Sequence, residues 1–83
     1  MTQYFKRESD TDWGTGIGYF EFTDGWTTRH VIICDGIWEL ASAERNPLEL
    51  GDQPLDLLDM EPEHASTKEE FETIWAEALK RCP

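Results

Sequence analysis

The chain has 83 residues and a formal net charge of −11, from 18 acidic and 7 basic side chains. A chain of this length builds one modest core, which excludes an elaborate two-lobed active site, so residues 1–83 are expected to form a single domain. The negative charge argues against direct binding of nucleic acid or of anionic membranes, and it favours a basic partner or simple solubility.

The location of the chain and the state of its cysteines follow from simple sequence features. No apolar run approaches the ~20 residues of a membrane span, and the first residues, MTQYFKRESD, lack the apolar region of a signal peptide. A cytoplasmic location is therefore expected. Cys34 and Cys82 are at no metal-binding spacing and are expected to be reduced.

The first predicted element is a weak strand over residues 3–7, followed by a polar loop over residues 8–15. Trp13 in this loop either covers the edge of the sheet or is exposed for contact. The string GTGIG at residues 14–18 is similar to a phosphate-binding loop, but such a loop precedes a helix, whereas a strand follows here. Nucleotide binding is not expected.

A calcium-binding loop is the second motif that the N-terminal region imitates. Asp10, Asp12 and Glu21 occupy positions 1, 3 and 12 of that loop, where carboxylate ligands are found. The match fails because Thr15 stands where a glycine is obligatory, and because Glu21 belongs to a predicted strand. We therefore expect no metal and no cofactor.

The clearest pattern is in residues 16–40, where GIGYFEFT, WTTRHVIIC and IWEL are separated by Asp24-Gly25 and Asp35-Gly36. An Asp-Gly pair between apolar runs is typical of a two-residue type I′ turn, which needs positive φ at both positions. These residues predict a three-stranded antiparallel meander, and the strand at residues 3–7 makes four.

Two-residue turns also predict which residues share a face of the sheet. They place Thr23 opposite Trp26 and Cys34 opposite Ile37. The predicted core face carries Phe20, Phe22, Val31, Ile33, Trp38 and Leu40. The outward face carries Tyr19, Glu21, Trp26, Thr28, His30, Ile32, Ile37, Glu39 and Ala41. Arg29 falls on the core face, so we expect it near the end of the sheet with its charged group in water.

The outward face carries an unusual apolar load for a surface, with Tyr19 and Trp26 as its aromatic members. Either residues 1–15 or the proline-rich segment cover this face, or it binds a protein with Tyr19 and Trp26 as anchors. His30 has Tyr19 as a predicted cross-strand neighbour and Glu21 on a diagonal, which is a possible acid/base cluster. A flat sheet face makes a poor cleft, so a histidine that is solvated or that contacts a partner is favoured for His30.

Residues 44–64, ERNPLELGDQPLDLLDMEPEH, are punctuated by three prolines. Their leucines predict an ordered connection with a short strand or helical turn at residues 55–58. The candidate partner-binding carboxylates are Asp52, Asp56, Asp59, Glu61 and Glu63. In an extended chain the last three project ~6 to 7 Å apart, close to the spacing of successive phosphates. The alternative is a solvated acidic surface.

The C-terminal residues give the clearest helix signal. Ser66 is a candidate N-cap with Glu69 three residues later, which is the capping-box pattern. The helical spacing of apolar residues continues through Phe71, Ile74, Trp75, Ala78, Leu79 and Cys82. A helix over residues 67–81 laid across the apolar sheet face predicts an α+β fold.

Two strings carry a resemblance to a known group of proteins: DGW..R.V..CDG.W at residues 24–38 and S.KEEFE.IW.EA at residues 66–78. In them the chain resembles a family of small uncharacterised acidic bacterial domains with a DG-turn meander and a C-terminal EEFE.IW helix. The resemblance implies a compact α+β fold and, more loosely, the company of immunity and anti-defence proteins. It implies no catalytic residue.

Taken together, these features predict an acidic, non-enzymatic protein that inhibits a basic nucleic-acid-handling protein by mimicking or occluding nucleic acid. The expected partner is a nuclease toxin or a subunit of a bacterial defence complex, as for toxin immunity or anti-CRISPR proteins, and the chain is expected to be a monomer or homodimer. The alternatives are a small enzyme or ligand-binding domain that uses Tyr19, His30 and Glu21, and an accessory subunit of a larger assembly.

Overall fold

A computed structural model, which describes residues 2–11, 13–42 and 65–81, has a four-stranded antiparallel sheet with one helix on one face. The strands are β1 (Thr2–Thr11), β2 (Gly14–Thr23), β3 (Trp26–Cys34) and β4 (Ile37–Ser42), and they pair in sequence order. The helix α1 spans Lys68–Arg81. The predicted α+β fold, a meander with a C-terminal helix, is confirmed.

The two Asp-Gly turns have the predicted backbone conformation. The φ angles are 53° at Asp24, 86° at Gly25, 50° at Asp35 and 83° at Gly36. Positive φ at both central residues is the mark of a type I′ turn. The residue pairs predicted to flank the turns, at 23 and 26 and at 34 and 37, are also confirmed.

The hairpin of β1 and β2 is longer than predicted. Its register runs from Thr2 opposite Thr23 to Thr11 opposite Gly14, so the polar loop predicted over residues 8–15 is wrong for most of its length. Backbone pairing needs no apolar side chains, and a polar strand at the edge of a sheet is stable when its neighbour is well packed. Because β1 pairs alongside β2, residues 2–11 extend the sheet and do not cover either of its faces, which removes one of the alternatives for the outward face.

A β-bulge in β3 changes the predicted register. Phe22 is opposite Thr27, but Glu21 is opposite Arg29, so Thr28 is an extra residue between the two pairs. A shift of one residue moves the rest of a strand to the other face relative to its neighbour. The faces predicted for β2 are therefore wrong relative to β3 and β4.

The face under α1 consists of three rows of cross-strand neighbours. The polar row is Tyr4, Glu21, Arg29 and Ser42; the middle row is Lys6, Tyr19, Val31 and Leu40; the apolar row is Ile17, Ile33 and Trp38, with Glu8 at its β1 end. The prediction that Val31, Ile33, Trp38 and Leu40 share the core face is confirmed. Tyr19 and Glu21 join them, and the bulge moves Phe20 and Phe22 to the opposite face.

The opposite face is also buried. Phe22 and Ala41 are fully buried, and His30 is nearly so. The Phe22 ring lies 5.6 Å from the ring of Phe5 and 6.3 Å from that of Phe20. Of the two alternatives for the predicted outward face, a covered face therefore holds at His30 and Ala41.

The helix begins one residue later than predicted. The backbone N–H of Glu70 donates to Thr67 Oγ1 at 3.1 Å, which makes Thr67 the N-cap in place of Ser66. The backbone N–H of Ser66 instead donates to the carbonyl oxygen of Tyr4 at 2.8 Å. From this start, α1 buries Phe71 and Ala78 against the middle row of the sheet. The described part of the chain contains no helix long and apolar enough to cross a membrane.

Candidate functional site

The predicted carboxylate site cannot be placed on the fold. Its five members lie outside the described residues: Asp52, Asp56, Asp59, Glu61 and Glu63. Their role in binding a partner stays a prediction. The prediction of a short strand or helical turn at residues 55–58 lies outside the described residues as well.

The other predicted partner-binding residues, Tyr19, Trp26 and His30, lie in three different environments. Tyr19 is buried in the middle row beneath α1, so its predicted outward position is wrong. His30 is buried on the opposite face, with its ring edge-to-face to Phe20 at 6.0 Å. Trp26, beside the β2–β3 turn, is 54% exposed and remains available to a partner.

The structure does not assemble the predicted acid/base cluster. Tyr19 and Glu21 lie on the face under α1, whereas His30 lies on the other face of the sheet. Burial lowers the pKa of His30, because the charged imidazolium loses solvation. The described residues also contain no group of three or more His, Cys, Asp or Glu side chains that could bind a metal ion.

A second polar arrangement, centred on Arg29, was missed by sequence reasoning. Arg29 Nε donates to Glu21 Oε1 at 2.8 Å, and Nη2 donates to Glu21 Oε2 at 2.5 Å and to Glu72 Oε1 at 2.6 Å. Thr28 Oγ1 donates to Glu21 Oε1 at 2.9 Å. The guanidinium thus joins β2, β3 and α1 through two carboxylates, and the bulge residue completes the set. Tyr4 belongs to this Arg29 cluster through its interaction with Glu21.

Aromatic rings complete the Arg29 cluster on the helix side. The guanidinium carbon lies 4.9 Å from the centre of the Phe71 ring and 5.1 Å from that of Trp75. Hydrogen bonding from Arg29 lowers the pKa of Glu21, and burial is the main reason why the pKa of Tyr4 is raised. A carboxylate that is held ionised in a bidentate ion pair is a poor proton donor or acceptor. We therefore interpret the Arg29 cluster as a structural contact that holds α1 on the sheet.

The sequence did contain a signal for this cluster, because Arg29 fell on a predicted core face with Glu21 one strand away. A buried arginine needs a counter-ion, and the bulge at Thr28 supplies one by moving Glu21 directly opposite. Requiring a partner for Arg29 would have pointed to the shifted register.

The apolar row, in contrast, is incompletely covered. Ile17 is 36% exposed, and its neighbours Ile33 and Trp38 are only partly buried. Arg81 of α1 lies over the Trp38 ring, with its guanidinium carbon 4.7 Å from the ring centre. Glu8, at the other end of the row, is exposed. This row is a candidate surface for contact with another protein.

Two further apolar residues lie at the same end of the sheet. Trp13, between β1 and β2, is 51% exposed, and Ile37, directly after the β3–β4 turn, is 39% exposed. In an antiparallel meander the first and third connections lie at the same end, so both residues lie at the end of the sheet that carries the apolar row. Ile37 pairs with Cys34, so its side chain is on the face opposite to Ile33 and Trp38. We call Trp13, Ile17, Ile33, Ile37 and Trp38 the turn-end surface.

Comparisons of this chain with protein-family models, with curated proteins and with solved structures found no match. The resemblance to small acidic bacterial domains therefore stays a prediction.

Proposed function

We propose that this protein is a non-enzymatic acidic inhibitor that binds a basic, nucleic-acid-handling protein. The observation that carries the proposal is where its negative charge lies. Among the acidic side chains whose burial the structure describes, Glu21 alone is buried, and Arg29 neutralises it. The other acidic side chains whose burial the structure describes all contact solvent, where their charge acts on the surroundings.

The highest density of acidic residues is in the connection between β4 and α1. Residues 43–64 hold seven acidic side chains and one basic side chain. Carboxylates in this segment, with Asp59, Glu61 and Glu63 as the central candidates, take the place of phosphates on Lys and Arg groups of the partner. Association by this mechanism is fast and sensitive to salt, and the exposed Trp26 is available as an aromatic anchor.

Inhibition then follows from occupancy, since a basic surface covered by this chain no longer binds nucleic acid. A nuclease toxin and a subunit of a bacterial defence complex are the two partner classes that this chemistry fits. The rival hypothesis of a small enzyme needed Tyr19, Glu21 and His30 on one accessible face. The β-bulge separates His30 from the other two, so no described observation favours that hypothesis.

Affinity capture with a matched pair of variants tests the proposal. The acid variant is Asp59→Asn, Glu61→Gln and Glu63→Gln. The control is Asp24→Asn, Glu69→Gln and Glu77→Gln, which removes the same charge from the described surface. Wild type and both variants, each with the same tag, are incubated with lysate of the native host at low and at moderate salt.

The proposal predicts that wild type and control retain one stoichiometric basic protein that is released by salt, and that the acid variant retains much less. Purified wild-type chain then inhibits nucleic-acid binding or cleavage by the captured protein at a one-to-one ratio. A captured protein that keeps full activity in the complex contradicts the proposal, as does equal retention by all three chains.

A further inference from the structure

We infer that the turn-end surface is a docking site for a segment of a basic protein that carries large apolar side chains between lysines or arginines. This inference rests on the proposed function, because the basic partner is the same. It adds a second contact region, formed by described residues, that lies apart in sequence from the acidic connection.

Two rows on one sheet face show burial that is the reverse of what their polarity would favour. The polar row contains a glutamate and an arginine but is largely buried beneath α1. The apolar row has Ile17, Ile33 and Trp38 on its three inner strands, yet Ile17 is exposed. Exposed large apolar side chains grouped on a small soluble domain mark interaction sites more often than chance placement does.

The exposed apolar residues of the described part of the chain are concentrated at one end of the sheet. Trp13, Ile17 and Ile37 are three of the five large hydrophobic residues that are exposed in the described part of the chain. Strands β1 and β2 also pair beyond the last pair of β3 and β4, because Gly14 is opposite Thr11 whereas β3 ends at Cys34. Trp13 therefore lies at the tip of a projecting hairpin, where a partner reaches it easily.

The charged residues around the turn-end surface indicate which kind of partner it binds. Exposed Glu8 borders the apolar row on β1, and exposed Asp35 precedes Ile37 in the β3–β4 turn. Arg81, in the last turn of α1, is engaged with Glu77 at 3.4 Å and lies over Trp38, and its neighbour Lys80 is exposed. An apolar centre with an acidic border complements an apolar segment with a basic border, and a second copy of this chain, with the same charge of −11, is repelled.

The test uses two defined peptide probes, so it does not depend on capturing the partner. One probe alternates leucine and lysine, and the other has serine in place of every leucine and so carries the same charge. Binding is followed by NMR on the wild-type chain, through the indole N–H of Trp13 and the methyl groups of Ile17 and Ile37. The turn-end variant is Trp13→Ser, Ile17→Thr and Ile37→Thr, and the control is Ala76→Ser, at an exposed position on α1 that has no part in either proposed contact.

The inference predicts that only the leucine peptide shifts the signals of Trp13, Ile17 and Ile37, and that the turn-end variant binds it about tenfold or more weakly. The control variant binds it as wild type does. The inference is overturned if both peptides shift these signals equally, or if neither does.

The wild-type NMR result stands even if the turn-end variant fails to fold, so the inference stays testable. The experiments also distinguish an error in the docking site from an error in the proposed function. If the captured partner binds the turn-end variant as tightly as wild type while losing affinity for the acid variant, the docking site is wrong and the inhibitor proposal stands. If no basic protein is captured, the inhibitor proposal fails, and the peptide experiment still decides whether this surface docks a basic apolar segment.

Discussion

The polar row and the apolar row lie on the same face of the same sheet, separated only by the middle row, yet they differ in burial. The polar row is covered by α1 and every charge in it has a partner, from Glu21 to Arg29 and on to Glu72. The apolar row has only exposed Glu8 as a charged member, at its β1 end, and is left partly exposed. Burial on this face follows the position of the helix more closely than it follows polarity, and we interpret the polar row as the stabilising region and the apolar row as the binding region.

The largest expected effect comes from removing the cover of the polar row. Phe71 is 1% exposed, and its ring lies 5.5 Å from that of Tyr4 and above the Arg29 guanidinium. Phe71→Ala is expected to lower the free energy of unfolding by about 3–5 kcal/mol, through lost apolar burial and the cavity that remains. Urea denaturation measures the change.

The control for Phe71→Ala is Leu79→Ala on the same helix, where the side chain is substantially exposed. We expect a loss of about 1 kcal/mol or less for this control. Equal losses in the two variants would show that α1 does not cover the sheet as described.

The second largest effect is expected from removing the ion pair at the centre of the polar row. Arg29→Met keeps the length and the apolar stem but leaves the Glu21 carboxylate buried without its cation. The expected loss is about 3 kcal/mol, since an unpaired buried charge is costly. Replacing both partners, in Glu21→Leu with Arg29→Met, is expected to recover much of that loss. A double variant that is less stable than the single one contradicts the buried ion pair.

The stability of the protein should fall in two different pH ranges on acidification, one for each face of the sheet. His30 has a pKa lowered by burial, so its contribution to stability is present above its ordinary value of 6.5 and is lost as pH falls from there toward the folded pKa. Glu21 has a pKa lowered mainly by its hydrogen bonds from Arg29, so its contribution is present above 4.5 and is lost only at more acidic pH. In both cases the unfolded state binds the additional proton.

Urea midpoints measured from neutral to acidic pH check this assignment. His30→Phe should remove the dependence between pH 6.5 and pH 4.5, and the Glu21→Leu, Arg29→Met double variant should reduce the dependence below pH 4.5. An unchanged pH profile in His30→Phe means that the imidazole is solvated in the folded state.

The smallest effect tests the bulge residue. Thr28 Oγ1 donates to Glu21 Oε1 at 2.9 Å, and Thr28→Val removes this donor while keeping a β-branched side chain of the same shape. The expected loss is about 1.5 kcal/mol, the lower end of the range for one hydrogen bond to a charged group, because the pair is only partly buried. Thr15→Val, at an exposed position on β2, is the control and should change stability by less than about 0.5 kcal/mol. Equal changes in the two variants contradict the role of Thr28 in the Arg29 cluster.

Much of the fold could be predicted because its signals are local. The Asp-Gly pairs determine two turns by their tolerance of positive φ, and the spacing from Phe71 to Leu79 marks a helix. The N-cap was misplaced by one residue because Ser66 and Thr67 are each followed by a glutamate three residues later. Only a tertiary contact, the hydrogen bond from Ser66 to Tyr4, selects Thr67.

The faces of the sheet could not be predicted by the same reasoning. The sequence around Thr27 and Thr28 contains no glycine or other local signal of a bulge. A single extra residue in β3 is nevertheless enough to exchange the inward and outward positions of β2 relative to β3. The energetic reason for the bulge is non-local, since it places Glu21 opposite Arg29. The turn-end surface was missed for a related reason, because the polar residues 8–15 gave no sign that β1 and β2 continue pairing up to Trp13.

The most direct test of the proposed function is the salt dependence of the affinity between this chain and its captured basic partner. Binding by carboxylates that replace phosphates predicts an affinity that falls steeply as salt rises, with a slope that becomes shallower in the Asp59→Asn, Glu61→Gln, Glu63→Gln variant and changes less in the Asp24→Asn, Glu69→Gln, Glu77→Gln control. An affinity that does not change with salt, or a slope that is the same in wild type and the acid variant, would contradict the account.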